Sequence, residues 1–300
     1  MPELPDVELY LSALRTHVGG RTLERVRLAT PFLLRSVEPP LNHAEGRVVT
    51  GFRRIGKRIV WELGAEELFL VFHLMIAGRF KWRDRGAAIP RKVGLAAFDF
   101  AHGTLLLTEV ATQKRASLHV VEGAAALASF NPGGIEVMTS DHATFAAALQ
   151  RESHTLKRAL TDPHVLSGIG NAYSDEILHR ARLSPFKLTR QLTAEDISGL
   201  HSATTATLAE WTARLKDEAG DTFPEKVTAF HEGMAVHGRF GRPCPRCSTA
   251  VQRIVHGEHE VNYCPTCQTG GRLLADRALS KLLKDDWPKT LEELERRKRA

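Results

Sequence analysis

The sequence predicts an α+β fold, with β-rich segments in its first part and helices in its second part. Short runs of Val, Ile, Leu and Phe, separated by Gly, Pro or charged turns, occupy the first 130 residues and are typical of a β-sandwich or barrel. From Asp141 onward, apolar residues recur with helical spacing. All four cysteines lie between residues 244 and 267, which indicates a small separate module.

The β-rich part begins with a helix, predicted over residues 3–16. Its apolar residues share one helical face, Pro5 is tolerated in the first turn, and the Gly-Gly pair at 19–20 ends it. The strands predicted after this helix span residues 22–28, 46–52, 58–63, 68–74, 93–100 and 103–108. The sequence therefore predicts a β-sandwich preceded by an N-terminal helix.

The second part is predicted to be helical as far as the cysteine module. The Asn-Pro-Gly-Gly run at 131–134 breaks regular structure and marks a domain boundary. The predicted helices span residues 141–150, 154–160, 171–181 and 193–215. The expected domains are a β-sandwich at 1–130, a helical domain at 131–235, a cysteine hairpin at 236–275 and a charged helical tail at 276–300.

Composition and charge restrict the function classes. The chain has 300 residues and a formal net charge of +6, which favours a polyanionic partner, although many proteins of similar charge bind no nucleic acid. No apolar run reaches the roughly 18 residues that a membrane-spanning helix needs. The first residues are acidic and lack the pattern of a signal peptide. We therefore expect a cytoplasmic protein without a membrane partner.

The cysteine spacing predicts a structural zinc site. Two Cys-x2-Cys pairs separated by sixteen residues place four thiolates on two tight turns, which suits tetrahedral coordination of one Zn2+ per chain. Such a site has no open coordination position, so its role is structural. The ligands are Cys244, Cys247, Cys264 and Cys267. Residues 251–255 and 260–263 are expected to form the two strands of a hairpin between the pairs.

A Gly-Ile-Gly-Asn turn opens the helix predicted at 171–181. Gly168 and Gly170 allow a ligand to approach the backbone, and the free N–H groups at the start of a helix bind anions. Asn171 adds a side-chain donor. Alone, this pattern also fits an ordinary tight turn, so its meaning depends on the rest of the chain.

Distant features of the chain form one ordered set. The set comprises Met-Pro-Glu-Leu-Pro-Asp-Val-Glu at the start, Lys57 within Arg-Ile-Gly-Lys-Arg, the Gly168–Asn171 turn and the terminal four-cysteine finger. Over residues 1–275 it resembles the formamidopyrimidine-DNA glycosylase/endonuclease VIII family, as a divergent branch. The resemblance implies a bifunctional DNA glycosylase/AP lyase with a helix-two-turn-helix domain, acting as a monomer on damaged double-stranded DNA.

The resemblance also implies roles for four residues near the N-terminus. After removal of Met1, the secondary amine of Pro2 would be the nucleophile that forms a Schiff base with the sugar. Glu3 would be the general acid that protonates the opening sugar ring. Asp6 stands where the family most often has Glu, which gives its supporting role a shorter reach. Lys57 would neutralise charge near the scissile phosphates.

Several segments depart from the family pattern. Ile76 takes the place of the Met that fills the gap left by an everted base. The Asp-Pro-Arg-Arg-Phe-Gly loop is replaced by Glu-Val-Ala-Thr-Gln-Lys-Arg-Ala at 109–116, where Lys114 or Arg115 would supply the arginine and no Phe is present. Asn171 is the expected phosphate ligand, and Arg272 would serve the same purpose after a short insertion in the finger.

The preferred lesion is left open by the sequence. Residues 217–230 lack the Gly-Lys-Pro-Gly type segment that caps 8-oxoguanine, which favours an oxidised pyrimidine, a ring-opened purine or an abasic site. The family resemblance keeps 8-oxoguanine among the candidates. Cleavage would proceed by β- or β,δ-elimination. One alternative is a catalytically weak damaged-DNA-binding protein of the same fold. Another is a zinc-ribbon protein acting on RNA, but this leaves the first sixty residues unexplained.

Overall fold

The computed structural model of the chain describes residues 1–256, 259–275 and 288–299. These residues form two compact units. The first comprises 1–132 and 210–229, and the second comprises 133–209 and 230–300 within the described ranges. No helix among the described residues is long and apolar enough to cross a membrane.

The first unit begins with helix α1, Leu4–Val18, close to its predicted bounds. The helix buries an apolar face whose members recur every three or four residues, which explains why this segment is helical. Val7, Leu14 and Val18 in this face are fully buried. The backbone N–H of Gly19 bonds the carbonyl oxygen of Leu14 at 3.1 Å and ends the helix.

Two four-stranded antiparallel sheets follow and form the predicted β-sandwich. One sheet has the order β1-β6-β7-β5 and the other has the order β2-β3-β4-β8. The strands are β1 Arg25–Leu28, β2 Val49–Ile55, β3 Arg58–Leu63, β4 Leu68–His73, β5 Gly78–Arg83, β6 Gly94–Phe100, β7 Gly103–Glu109 and β8 Ser117–Glu122. A short helix, α2 Ala124–Ala128, comes after β8.

Aromatic side chains from both sheets make the centre of the sandwich. Trp61 and Phe72 of one sheet pack against Phe98 of the other, with ring centroids 5.5 and 5.3 Å from Phe98. Phe72 also meets Phe80 of β5 edge-to-face at 5.3 Å. All four rings are fully buried. Edge-to-face and tilted contacts of this kind add to the stabilisation from buried area.

The sequence pattern does not predict β5 and β8. In β5 the buried Phe80 alternates with charged residues, so the strand has no continuous apolar run. β8 is an edge strand of its sheet and carries polar residues on its outer face. The predicted strand at 46–52 is displaced, since β2 spans Val49–Ile55.

The second unit is helical, as predicted. Its helices are α3 His142–Gln150, α4 Leu156–Thr161 and α5 Asn171–Ala181, and α6 Ala194–Ala219 contributes residues to both units. The carboxylate of Asp141 caps α3 by accepting a hydrogen bond from the N–H of Thr144 at 2.8 Å. α5 has the bounds that the sequence predicts.

The cysteine module also lies in the second unit. Strands β9 Gln252–His256 and β10 His259–Tyr263 form an antiparallel hairpin, followed by α7 Pro265–Thr269. Residues 276–287 of the tail predicted at 276–300 lie outside the described residues. Within the tail, Leu291–Arg299 forms helix α8.

Candidate functional site

The N-terminal residues are buried at the start of α1. Pro2 is buried, Glu3 is 3% exposed and Asp6 is fully buried. Asp6 Oδ2 accepts a hydrogen bond from the backbone N–H of Glu3 at 2.8 Å. A carboxylate in the first turn satisfies an otherwise unpaired helix N–H group, so the shorter Asp6 side chain fixes the backbone of Glu3.

The terminal amine lies in a cluster of charged groups. In the chain that still carries Met1, burial is the largest cause that lowers the pKa of this amine. Arg79 and Lys57 lower the pKa further, whereas Glu3 and Asp6 raise it. A lowered pKa increases the share of neutral amine near neutral pH, and the neutral form is the nucleophile.

Lys57 is held near this amine by the hairpin between β2 and β3. The hairpin loop consists of two residues, Gly56 and Lys57, and Ile55 pairs with Arg58 across it. Gly56 has φ +60°, which only glycine adopts without strain at the first position of such a turn. The turn therefore fixes the position from which the Lys57 side chain extends.

Ile76 projects from the turn between β4 and β5, with 56% of its surface exposed. The N–H of Gly78 closes the turn on the carbonyl oxygen of Leu74 at 2.8 Å. A Cβ atom at Gly78 would lie 2.3 Å from that oxygen, so this position requires glycine. Met75 takes a positive φ of 52°, and Arg79 Nη1 donates to the Ile76 carbonyl oxygen at 3.1 Å.

The loop after β7 is organised by Glu109, which is 1% exposed. Its carboxylate accepts the backbone N–H groups of Arg115 and the following residue at 2.9 and 3.1 Å. The ammonium of Lys114 donates to the carbonyl oxygens of Glu109 and Ala111, the latter at 2.8 Å. Arg115 is exposed, and Gln113 Oε1 accepts from its Nη2 at 2.9 Å. Of the two cations, Arg115 is therefore the one directed to solvent.

Two further residues near these groups were not identified from the sequence. His73, the last residue of β4, has its pKa lowered to about 4 by burial and by the charges of Arg58, Lys57 and His119, so it is neutral near neutral pH. The positive charge of Arg79 lowers the pKa of the terminal amine. Both flank the turn that carries Ile76. A polar or charged residue on each side of that turn is the feature of the sequence from which they could have been identified.

In the second unit, the Gly-Ile-Gly-Asn turn leads directly into α5. Gly168 takes φ +83°, and Gly170 immediately precedes the first helical residue, Asn171. The Ser174 hydroxyl donates to the Gly170 carbonyl oxygen at 2.6 Å, and the Lys157 ammonium donates to the Asn171 carbonyl oxygen at 2.6 Å. The structure thus places the predicted turn at the N-terminus of a helix, where anions are favoured.

The four cysteines converge on one point, with all their Sγ atoms within 4.8 Å of one another. Ser248 N–H bonds the carbonyl oxygen of Cys244, and Cys244 N–H bonds that of Thr249, each at 2.8 Å. Two tight turns presenting four thiols to one point fit a tetrahedral zinc ion. The cluster is consistent with one structural Zn2+, as the spacing predicts.

Arg272 follows α7 and is exposed. Gly270 and Gly271 both have positive φ, at 60° and 85°, and they turn the chain away from the helix. The backbone of Arg272 pairs with that of Thr290 in an isolated antiparallel bridge. Its backbone position is therefore fixed on both sides.

Comparison with known proteins agrees with this architecture. Three family models match in order: the formamidopyrimidine-DNA glycosylase N-terminal domain at residues 1–120, its H2TH domain at 134–219, and the zinc finger found in FPG and IleRS at 241–270. The three matched segments correspond to the β-sandwich, the helical part and the cysteine hairpin of the fold.

Individual relatives support the same assignment. An uncharacterized formamidopyrimidine-DNA glycosylase-like protein of Mycobacterium tuberculosis is 38% identical over 156 residues, which cover 52% of this chain and 95% of the relative. Formamidopyrimidine-DNA glycosylase of Bacillus cereus is 29% identical over 283 residues, covering 89% and 99%.

Solved structures show the same fold. Lactococcus lactis Fpg in complex with DNA containing an oxidized pyrimidine superposes with a TM-score of 0.79 and 25% identity, covering 89% of this chain and 100% of that chain. A variant of the same enzyme with Fapy-dG-containing DNA gives a TM-score of 0.78 with the same identity and coverage. Together with the buried Pro2–Glu3 terminus, the H2TH helices and the four-cysteine finger, these matches show that the chain belongs to the formamidopyrimidine-DNA glycosylase/endonuclease VIII family.

Proposed function

We propose that the chain is a bifunctional DNA glycosylase/AP lyase of base-excision repair. The observation that carries this proposal is the buried Pro2–Glu3 terminus, at a place where burial, Arg79 and Lys57 lower the pKa of the terminal amine in the chain that still carries Met1. A Schiff-base mechanism needs an amine with a lowered pKa beside a carboxyl group that can donate a proton.

The reaction begins after Met1 has been removed. The neutral Pro2 nitrogen attacks C1′ of the damaged nucleotide, the bond from C1′ to the base breaks, and the base leaves with a proton. Glu3 protonates the ring oxygen, which opens the sugar and leaves an iminium between Pro2 and C1′. Loss of a proton from C2′ then breaks the C3′–O bond by β-elimination. In a β,δ-elimination a second step also breaks the C5′–O bond, and in either case water hydrolyses the Schiff base and frees Pro2.

The neighbouring side chains have supporting roles. Asp6 holds the backbone of Glu3 through its 2.8 Å hydrogen bond and so keeps the acid beside the amine. Lys57 serves two purposes, because its charge lowers the pKa of the amine and also attracts a DNA phosphate. Asp6 and Lys57 both belong to the first unit, together with Pro2 and Glu3.

Damaged double-stranded DNA is the proposed partner. The relatives with solved structures were crystallised with DNA containing Fapy-dG, an oxidized pyrimidine or an abasic site. The chain has a formal net charge of +6, which suits the phosphate backbone. We therefore propose ring-opened purines, 8-oxoguanine and oxidised pyrimidines as substrates, with abasic sites cleaved directly.

The DNA contacts are assigned from the positions of the exposed side chains. Ile76 would fill the space left by the everted nucleotide, because an apolar side chain replaces lost stacking. Arg115 would face the base opposite the lesion. Asn171, with the Gly168 and Gly170 backbone, would bind a phosphate at the N-terminus of α5, and Arg272 would bind a phosphate from the finger. We propose that the protein acts as a monomer.

Strand cleavage on a lesion panel tests the proposal. Duplexes with a single Fapy-dG, 8-oxoguanine, oxidised pyrimidine or abasic site are incubated with the wild type and with Glu3→Gln. The wild type is expected to cleave the abasic duplex and at least one base lesion. Glu3→Gln is expected to lose base release and to retain part of the abasic cleavage, since an abasic sugar opens without the acid. Wild type that binds these duplexes without cleaving them would instead indicate a damage-binding protein.

Lys57→Met tests the electrostatic role of the lysine. Removing a positive charge raises the pKa of the amine, so cleavage of the abasic duplex is expected to fall near neutral pH and to recover partly at higher pH. Lys92→Met, which removes an exposed lysine elsewhere in the first unit, is the matched control and is expected to leave the pH profile in place. An unshifted profile for Lys57→Met would contradict the role.

A further inference from the structure

A buried carboxylate, Asp175 of α5, connects three parts of the second unit. Asp175 is 1% exposed and receives four hydrogen bonds. Oδ1 accepts from Lys157 Nζ at 2.5 Å, and Oδ2 accepts from His237 Nδ1 at 2.9 Å. Oδ2 also accepts from the backbone N–H and the side-chain amide of Asn262 at 3.1 and 3.2 Å. α4, the segment before the finger and strand β10 of the finger therefore meet at one side chain.

Lys157 carries this connection to the turn at the start of α5. Lys157 is 8% exposed, and its ammonium donates both to Asp175 and to the carbonyl oxygen of Asn171, the latter at 2.6 Å. A buried ammonium needs such partners, and Asp175 is its charged partner among them.

The spacing of the side chains on α5 extends the connection to the metal centre. Asn171, Asp175 and His179 are four residues apart and lie on one face of the helix. His179 Nε2 lies 3.2 Å from Cys244 Sγ. One helix face thus joins the turn, the buried carboxylate and a cysteine of the four-cysteine cluster.

The neighbouring Glu176 fixes the segment that precedes the finger. Its carboxylate accepts three consecutive backbone N–H groups, from Ala235, Val236 and His237, at 2.7, 2.9 and 2.9 Å. These bonds hold His237 in place to reach Asp175. The finger is therefore attached to α5 by polar contacts that fix its direction, which apolar packing alone would not do.

We propose that Asp175 is a positioning residue that holds the Gly168–Asn171 turn and the zinc finger in one fixed arrangement for binding DNA phosphates. The inference rests on the proposed function, because it assigns the Asn171 turn to a phosphate. Asp175 touches no DNA itself. It acts through Lys157 on the turn and through His237 and Asn262 on the finger.

The test is the salt dependence of DNA binding by the full zinc-loaded chain. Affinity for a duplex with one abasic-site analogue is measured over a range of salt concentrations for the wild type, Asn171→Ala, Asp175→Asn and the double variant. Loss of one phosphate contact reduces the slope of log K against log salt by about one. Asn171→Ala and Asp175→Asn are each expected to show this reduction, with affinity lower by on the order of tenfold. The double variant is expected to resemble the single ones, since the two residues serve the same contact.

Asp196→Asn is the matched control. Asp196 pairs with Lys187 at 2.6 Å in the same unit but contacts neither α5 nor the finger in the described residues. It is expected to keep the wild-type slope. If Asp175→Asn does not fold or does not hold zinc, Lys157→Met replaces it, because that substitution removes only the ammonium and is expected to give the same loss of slope.

The outcomes separate the inference from the function on which it rests. A wild-type slope for the folded Asp175→Asn or Lys157→Met variant, or losses that add fully to that of Asn171→Ala, would overturn the positioning role. Wild-type protein that fails to bind the duplex, or an Asn171→Ala variant with an unchanged slope, would instead contradict the proposed DNA contact.

Discussion

Acidification is expected to destabilise the β-sandwich through His73. Burial, with the charges of Arg58, Lys57 and His119, lowers the pKa of His73 from 6.5 to about 4. The folded protein therefore keeps the neutral imidazole, whereas the unfolded chain takes up a proton as the pH falls below 6.5. The stabilisation is complete above that pH and is lost as the pH falls towards the folded-state value.

The size of the effect follows from the two pKa values. At about 1.4 kcal/mol for each pKa unit, the difference corresponds to at most about 3.5 kcal/mol of unfolding free energy. Urea unfolding of the wild type and of His73→Gln, at about pH 7 and about pH 4.5, measures it. Glutamine does not titrate, so the variant is expected to lose less stability on acidification than the wild type.

A parallel variant separates the contribution of the neighbouring histidine. The pKa of His119 is also lowered, by burial and by Arg58 and Arg35, so His119→Gln is expected to remove its own share of the acid sensitivity. If the wild type and His73→Gln lose the same free energy between the two pH values, the neutral, buried state of His73 is refuted.

The remaining predictions concern the turn, the loop and the metal. Gly78→Ala is expected to destabilise the protein by about 1–3 kcal/mol, because the added Cβ would lie 2.3 Å from the Leu74 carbonyl oxygen. Gly199→Ala, in α6 with nothing within 4 Å, is expected to stabilise it by up to about 1 kcal/mol. Urea unfolding decides both, and equal effects would contradict the argument. Glu109→Ala is expected to lower the free energy of unfolding by about 2–5 kcal/mol, because two backbone N–H groups lose a charged acceptor. The same variant is expected to be cleaved faster by proteases in the 110–116 loop. A loop as resistant to proteolysis as in the wild type would contradict the anchoring role of Glu109. Removal of zinc by a chelator is expected to lower the melting temperature, and adding zinc back is expected to restore it. A melting temperature that the chelator leaves unchanged would contradict a structural zinc.

Local signals were sufficient for much of the fold. The helical spacing and the glycines before Asn171 predict α5 with its observed bounds, and the apolar run at 58–63 predicts β3. The two Cys-x2-Cys pairs predict the metal cluster, because two tight turns can present four thiols without any long-range information. In each case the residues that determine the structure are close together in sequence.

Long-range contacts were not predictable in the same way. β5 is stabilised by pairing with β7 and by burial of Phe80, neither of which is visible in its charged sequence. Asp175 lies 62 residues from His237 and 87 residues from Asn262, so its four hydrogen bonds exist only in the folded chain. The pKa of the terminal amine depends in the same way on Arg79, which folding brings to it.

Borohydride trapping on a duplex with one abasic site tests directly whether Pro2 is the nucleophile. Borohydride reduces the iminium to a stable amine, so the intermediate is captured as a covalent protein–DNA adduct. The account predicts that Met1-free wild type forms the adduct, that peptide mapping places it on Pro2, and that Pro2→Gly forms less. Absence of an adduct from zinc-loaded, Met1-free protein that still binds the duplex, or an adduct on a lysine with Pro2 unmodified, would contradict it.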